Sequence, residues 1–103
     1  MTEDSIIPVF NDIIEAHERI RPFVHKTPVL TSTLINEHFG SHLFFKCENF
    51  QKVGAFKYRG ATNAVQSLSD TDIRKGVCTH SSGNHAAALA LAAKMRNTKA
   101  YIV

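Results

Sequence analysis

The chain has 103 residues, 44% hydrophobic and 20% charged, with a formal net charge of +3, which suits one modest domain of ordinary globular composition. Its lysines and arginines are scattered, without the basic stripe and interleaved aromatics of a nucleic-acid binder, and no apolar run approaches the roughly 20 residues that cross a bilayer. The start, Met1-Thr2-Glu3-Asp4-Ser5, is acidic and polar, unlike the basic n-region of a signal peptide, and the distant cysteines Cys47 and Cys78 fit buried free thiols in a reducing compartment, so the expected location is the cytoplasm.

Along the chain, Asn11 or Asp12 can cap a first helix whose apolar face carries Ile13, Ala16, Ile20 and Val24, and Pro22 should end or bend it. Lys26 to Leu30 reads as extended, because the residue before Pro28 is pushed out of the α region. Thr31-Ser32-Thr33 offers a cap for a short helix through His38, with Gly40 as its stop. A strand is expected from His42 to Cys47, with Leu43, Phe45 and Cys47 on one face. A loop over Asn49 to Ala55 leads to a helix from Lys57 to Leu68, followed by a polar break, Ser69 to Asp72. Val77 to Thr79 forms a strand running into Ser81-Ser82-Gly83-Asn84, and an alanine-rich helix spans His85 to Met95 with Asn97 as a left-handed stop. Lys99 to Val103 begins a further strand. Strands alternating with helices predict an α/β domain with a parallel sheet. The chain stops inside an apolar strand that no following helix covers, which would leave a bare edge and predicts a truncated piece of a larger domain.

Two segments carry chemistry. Lys57 lies near a helix start, in positive dipole potential, with Lys52 and Arg59 adding like charge and Phe56 an apolar neighbour; these favour a neutral amine. A neutral lysine can form a Schiff base with an aldehyde, although most helical lysines are simply solvated. Ser81-Ser82-Gly83-Asn84-His85 joins a strand to a helix, where orphan amides serve equally for a capped helix start, with Ser82 or Asn84 as the cap, or for an anion site. His38 and His42 are four apart, but Gly40 between them ends the helix and no third ligand is apparent, so no metal site is assigned.

Together, Lys52-Val53-Gly54-Ala55-Phe56-Lys57-Tyr58-Arg59-Gly60-Ala61 and Ser81-Ser82-Gly83-Asn84-His85 resemble the lysine motif and carboxylate loop of the fold-type II pyridoxal-phosphate (PLP) enzymes. The serine/threonine dehydratase and serine racemase group is the nearest. Thr27 to Ser32 and Phe44 to Lys52 match in order and spacing, and the similarity runs from about Ile6 onward. The resemblance implies a three-layer parallel-sheet fold like that of the tryptophan synthase β chain. Residues 1–103 would be the N-terminal part of its catalytic domain.

The same resemblance implies roles. Lys57 would bind PLP and remove the α-proton; Phe56 would pack beside the ring and Asn84 would hydrogen-bond its phenolic oxygen. Ser81, Ser82, Gly83, Asn84 and His85 would grip the substrate carboxylate. Ser82 would return a proton on the far face, which leans toward the racemase branch. The implied reaction is ammonia loss from, or racemisation of, serine, threonine or a related hydroxy amino acid. A divalent cation (Mg or Ca), ATP and a homodimer are implied for a full-length protein. Thr31-Ser32-Thr33 with Gln51-Lys52 resembles the part of some racemases that contacts a nucleotide. Val53 and Ala55 stand where many relatives have threonine and serine. In the family the glycine-rich phosphate loop lies further downstream. The alternative, from another class, is a noncatalytic remnant or interaction module whose last strand pairs with another chain.

Overall fold

Asp12 does not cap the first helix but closes it from inside. In the computed structural model, which describes residues 7–103, α1 runs Phe10–Ile20, and the Val9 amide donates to Asp12 Oδ2 at 2.7 Å. The acidic start Met1 to Ser5 lies outside the described residues. An acidic side chain in the first turn suits the orphan amides there. The helix stops at Ile20, two residues before Pro22. Ile20 is buried but Ile13 is exposed, so the expected apolar face is covered only at its C-terminal end. There Arg19 Nη1 donates to Asn63 Oδ1 at 2.6 Å, tying α1 to the helix that carries Asn63.

The second helix keeps both expected ends. In α2, Thr33–Phe39, the Ser32 hydroxyl accepts the Ile35 amide at 3.4 Å, and Gly40 closes the helix at φ 60°. The strand expected from His42 to Cys47 shrinks to β2, Phe45–Lys46. Leu43, which would have extended it, gives its amide to the Asn36 side chain at 2.9 Å. β2 pairs antiparallel with β1, Val29–Leu30, in the register Val29↔Lys46 and Leu30↔Phe45. This antiparallel pair forms a small sheet of its own, apart from the parallel strands expected.

The parallel part is β3, Val77–Thr79, beside β4, Ala100–Ile102, with Cys78 opposite Tyr101. Their crossover is α5, Asn84–Met95, as parallel neighbours require. Gly76 enters β3 at φ 86°, and a Cβ there would meet Tyr101 Cε2 at 2.9 Å and the Lys99 carbonyl at 3.0 Å. Only glycine satisfies both the angle and the space. Asn97 turns the chain at φ 53° after α5, as expected of it.

Between the lysine segment and β3 lie α3, Lys57–Ser67, and α4, Asp70–Ile73. The polar run Ser69 to Asp72 was expected to break the chain. It makes a helical turn instead, because the Ser69 hydroxyl accepts the Asp72 amide at 3.0 Å and Ile73 then drops into the core. That core joins Tyr58, Ala61 and Val65 of α3 to Ala88, Leu89 and Ala92 of α5, with Ile73 beneath. Alanines at Ala88 and Ala92, one turn apart, let the two helices approach closely. No helix among the described residues is long and apolar enough to cross a membrane.

Arg96 fixes the direction of this packing. From the C-terminal end of α5, its Nη1 donates to the carbonyls of Val65 (2.6 Å) and Leu68 (2.7 Å), at the C-terminal end of α3. The two helices therefore run the same way, and their starts lie at the same end of the layer. Replacing Arg96 with alanine strands the Leu68 carbonyl and leaves the Val65 carbonyl only the Leu68 amide at 3.4 Å. Urea denaturation should show a loss of about 1–3 kcal/mol; an unchanged midpoint would mean that water replaces the guanidinium without cost.

Candidate active site at the starts of two parallel helices

Lys57 is the first residue of α3, with Phe56 before it at the N-cap position. Its Nζ lies 4.6 Å from the centre of the exposed Phe56 ring and takes part in no ion pair among the described residues. The neighbouring charges are arranged differently from the sequence expectation. Arg59 does not crowd Lys57 with like charge, because its Nε and Nη2 each donate to Glu48 at 2.8 Å, one to each carboxylate oxygen. Lys52 Nζ stands 5.7 Å from the centre of the Tyr58 ring.

Glu48 is the most perturbed acid of this region. Hydrogen bonds from Arg59, opposed by burial and reinforced by the Thr27 hydroxyl at 2.5 Å, lower it from the ordinary 4.5 to about 2. The same pairing raises Arg59 above its ordinary value. Fork-to-carboxylate geometry of this kind is both strong and directional. Gln51, 3% exposed, continues the network: its Oε1 accepts the amides of His25 (2.9 Å) and Lys52 (3.0 Å), and its Nε2 donates to the His25 carbonyl at 2.8 Å.

The second segment starts α5 one residue earlier than expected, at Asn84. Neither Ser82 nor Asn84 caps the helix. The Ser81 hydroxyl does so from further back, accepting the amides of Gly83 and Ala86, both at 3.3 Å. Ser81 is held in turn by its own amide, which donates to the Val103 carbonyl at 3.2 Å. Two helix-start donors, the amides of Asn84 and His85, then have no protein acceptor among the described residues. A Cβ built on Gly83 meets nothing within 4 Å, so this start faces open space. Ser82 and Asn84 are exposed beside it, and His85 is half-buried.

The structure thus brings Lys57 and the Ser81–His85 turn to one end of a parallel helix pair, just beyond the carboxyl end of β3. Open α/β sheets bind ligands at such ends. It separates His85 from the others in one respect. His85 lines a cleft of about 380 Å³ with Gly60, Ala64, Val77, Cys78 and Leu89, and that cleft includes none of Lys57, Phe56, Ser82 or Asn84. Glu48, Gln51 and the capping role of Ser81 were not found from sequence. Serine ahead of a helix was visible, but which of two adjacent serines turns its hydroxyl inward was not.

The model of the family described as pyridoxal-phosphate dependent enzyme matches residues 20–103. Serine racemase of Oryza sativa subsp. indica is 63% identical over 90% of this chain and 27% of its own length. L-threo-3-hydroxyaspartate ammonia-lyase of Saccharomyces cerevisiae is 55% identical over 95% of this chain and 30% of its own length. The solved structure of maize serine racemase superposes with a TM-score of 0.86 at 59% identity, covering 90% of this chain and 29% of that one. The chain therefore spans about three-tenths of the relatives it matches, and shares the α/β fold of that part.

Because the Glu48 carboxyl is held near 2 when folded and would titrate at 4.5 otherwise, its stabilising effect is complete above about 4.5 and lost as the pH falls toward 2. Acid unfolding of Glu48→Gln should show a shallower dependence over that window than the parent chain. Identical slopes would place the acid-sensitive charge elsewhere.

Proposed function

Since the chain belongs to the pyridoxal-phosphate-dependent enzyme family, we propose that it forms part of an enzyme that removes ammonia from, or racemises, serine, threonine or a related hydroxy amino acid. The observation that carries this reading is the shared end of α3 and α5, where an unpaired lysine and two unpaired amides lie together. The names of the relatives, serine racemase and a hydroxyaspartate ammonia-lyase, support the substrate class.

The residues present suit PLP. Lys57 is free of ion pairs and beside an exposed aromatic ring, and Gly83 leaves room at the α5 start. Lys57 would hold the cofactor through its amine, with Phe56 against the ring and Asn84 toward the phenolic oxygen. When bound, the cofactor supplies an electron sink for the charge that develops at Cα.

Once the substrate's amine has displaced it from the cofactor, Lys57 Nζ would be free to take the α-proton from one face. The unpaired Asn84 and His85 amides, at a helix start, are suited to a carboxylate, and with Ser81, Ser82 and Gly83 they fix the substrate so that a single Cα bond is presented. Loss of the α-proton and the β-hydroxyl together as water would leave an enamine, which takes up a water to give a 2-oxo acid and ammonia. A proton returned from the Ser82 hydroxyl on the opposite face gives the other enantiomer instead. The proposed partner is a small amino acid, and the proposed assembly a homodimer. A divalent cation and a nucleotide are proposed only for the longer protein, on the resemblance of its sequence motifs.

The test is to add PLP to the purified protein, reduce with borohydride and map the label, then assay serine and threonine. Lys57→Ala should abolish the mapped label. Ser82→Ala should slow conversion between enantiomers by roughly a hundredfold, the usual weight of one acid–base group, while ammonia release persists. A label spread over many lysines, or unchanged by Lys57→Ala, would refute the assignment.

A further inference from the structure

The backbone that delivers Lys57 passes through a strained turn. Val53 sits at φ 59°, ψ 11° and Gly54 at φ 71°. Glycine takes the left-handed region freely, but a β-branched residue there is a strained outlier. Such a conformation persists only where its surroundings hold it.

The surroundings here hold it from both sides. Upstream, Gln51 is clamped by three side-chain hydrogen bonds, two of them to the His25 backbone, and its own carbonyl accepts the Gly54 amide at 2.8 Å. Downstream, Arg59 grips Glu48 with two hydrogen bonds and touches the same His25 carbonyl at 3.2 Å. Glu48 is further tied to Thr27. Both ends of the segment between Gln51 and Arg59 are therefore pinned to one stretch, His25 to Thr27. Val53 packs its side chain against the Tyr58 core cluster, which offsets part of the strain. Lys57 lies inside this pinned segment, two residues before Arg59.

We propose that Glu48, Gln51 and Arg59 are positioning residues for Lys57, forming a brace that keeps the Val53–Gly54 turn left-handed and so sets where the lysine amine stands. The inference rests on the reading of Lys57 as the cofactor lysine. It further assigns the Val53 strain to the brace: once the brace is weakened, a residue indifferent to the left-handed region should restore the lysine.

The test measures the rate at which PLP and borohydride label Lys57, with exposed Lys94 as the internal control. Arg59→Lys keeps the charge but loses the fork, and Glu48→Gln keeps the shape but loses the charge. Each variant is assayed at a temperature where circular dichroism shows it folded. Labelling of Lys57 should slow roughly tenfold, within the hundredfold that a misplacement of about 1 Å can cost, while Lys94 is unchanged. Adding Val53→Gly should recover most of the lost rate. If Lys57 labels at the parent rate in the folded variants, or falls in step with Lys94, the brace has no positioning role. If parent Lys57 is not labelled at all, the cofactor-lysine reading itself fails, and the two failures are told apart by the parent measurement.

Discussion

α3 and α5 lie side by side and point the same way, and the candidate site depends on this more than on any single residue in it. Alanines at Ala88 and Ala92 pack against Tyr58, Ala61 and Val65. Arg96 joins the two C-terminal ends through the carbonyls of Val65 and Leu68. With helices of 11 and 12 residues at about 1.5 Å per residue, matched ends at one side imply matched starts at the other. Reversing either helix would carry Lys57 away from Asn84 by the length of the layer.

Parallel packing also places two positive helix starts together, which is unfavourable unless something anionic occupies the space. Within the chain the structure answers this in part. The Ser81 hydroxyl takes the amides of Gly83, just before α5, and of Ala86 within it, and Glu48 neutralises Arg59 close to the α3 start. What is left, among the described residues, is a lysine side chain outside any ion pair and two unpaired amides. A carboxylate with an aldehyde-bearing cofactor complements that combination, in keeping with the proposed function.

Local chemistry made much of this legible in sequence. Ser32 and Gly40 bound α2, and Asn97 turns the chain after α5, because capping and left-handed stops depend on neighbours a few residues away. The lysine and serine segments could be found for the same reason. The antiparallel pairing of β1 with β2 could not, since the direction of a strand pair separated by a helix is set by tertiary packing. Ser69 to Asp72 looked like a break, yet the same polar residues are what a capped helical turn needs. The Glu48–Arg59 pair was missed, and its absence made Arg59 look like an unshielded neighbour of Lys57. Nothing in the spacing of two charges reveals that they meet. The left-handed Val53 was equally invisible, because propensity argues against it and its surroundings, the core cluster and the Gln51 hydrogen bonds, come from distant parts of the chain.

The most direct measurement of the central claim is an amide nuclear magnetic resonance titration with PLP and then serine. A single ligand site at the shared helix starts predicts that the largest shifts fall together on Lys57, Asn84 and His85, with Val65 and Arg96 at the other end of the layer little moved. Shifts centred elsewhere, or on one helix start without the other, would contradict it.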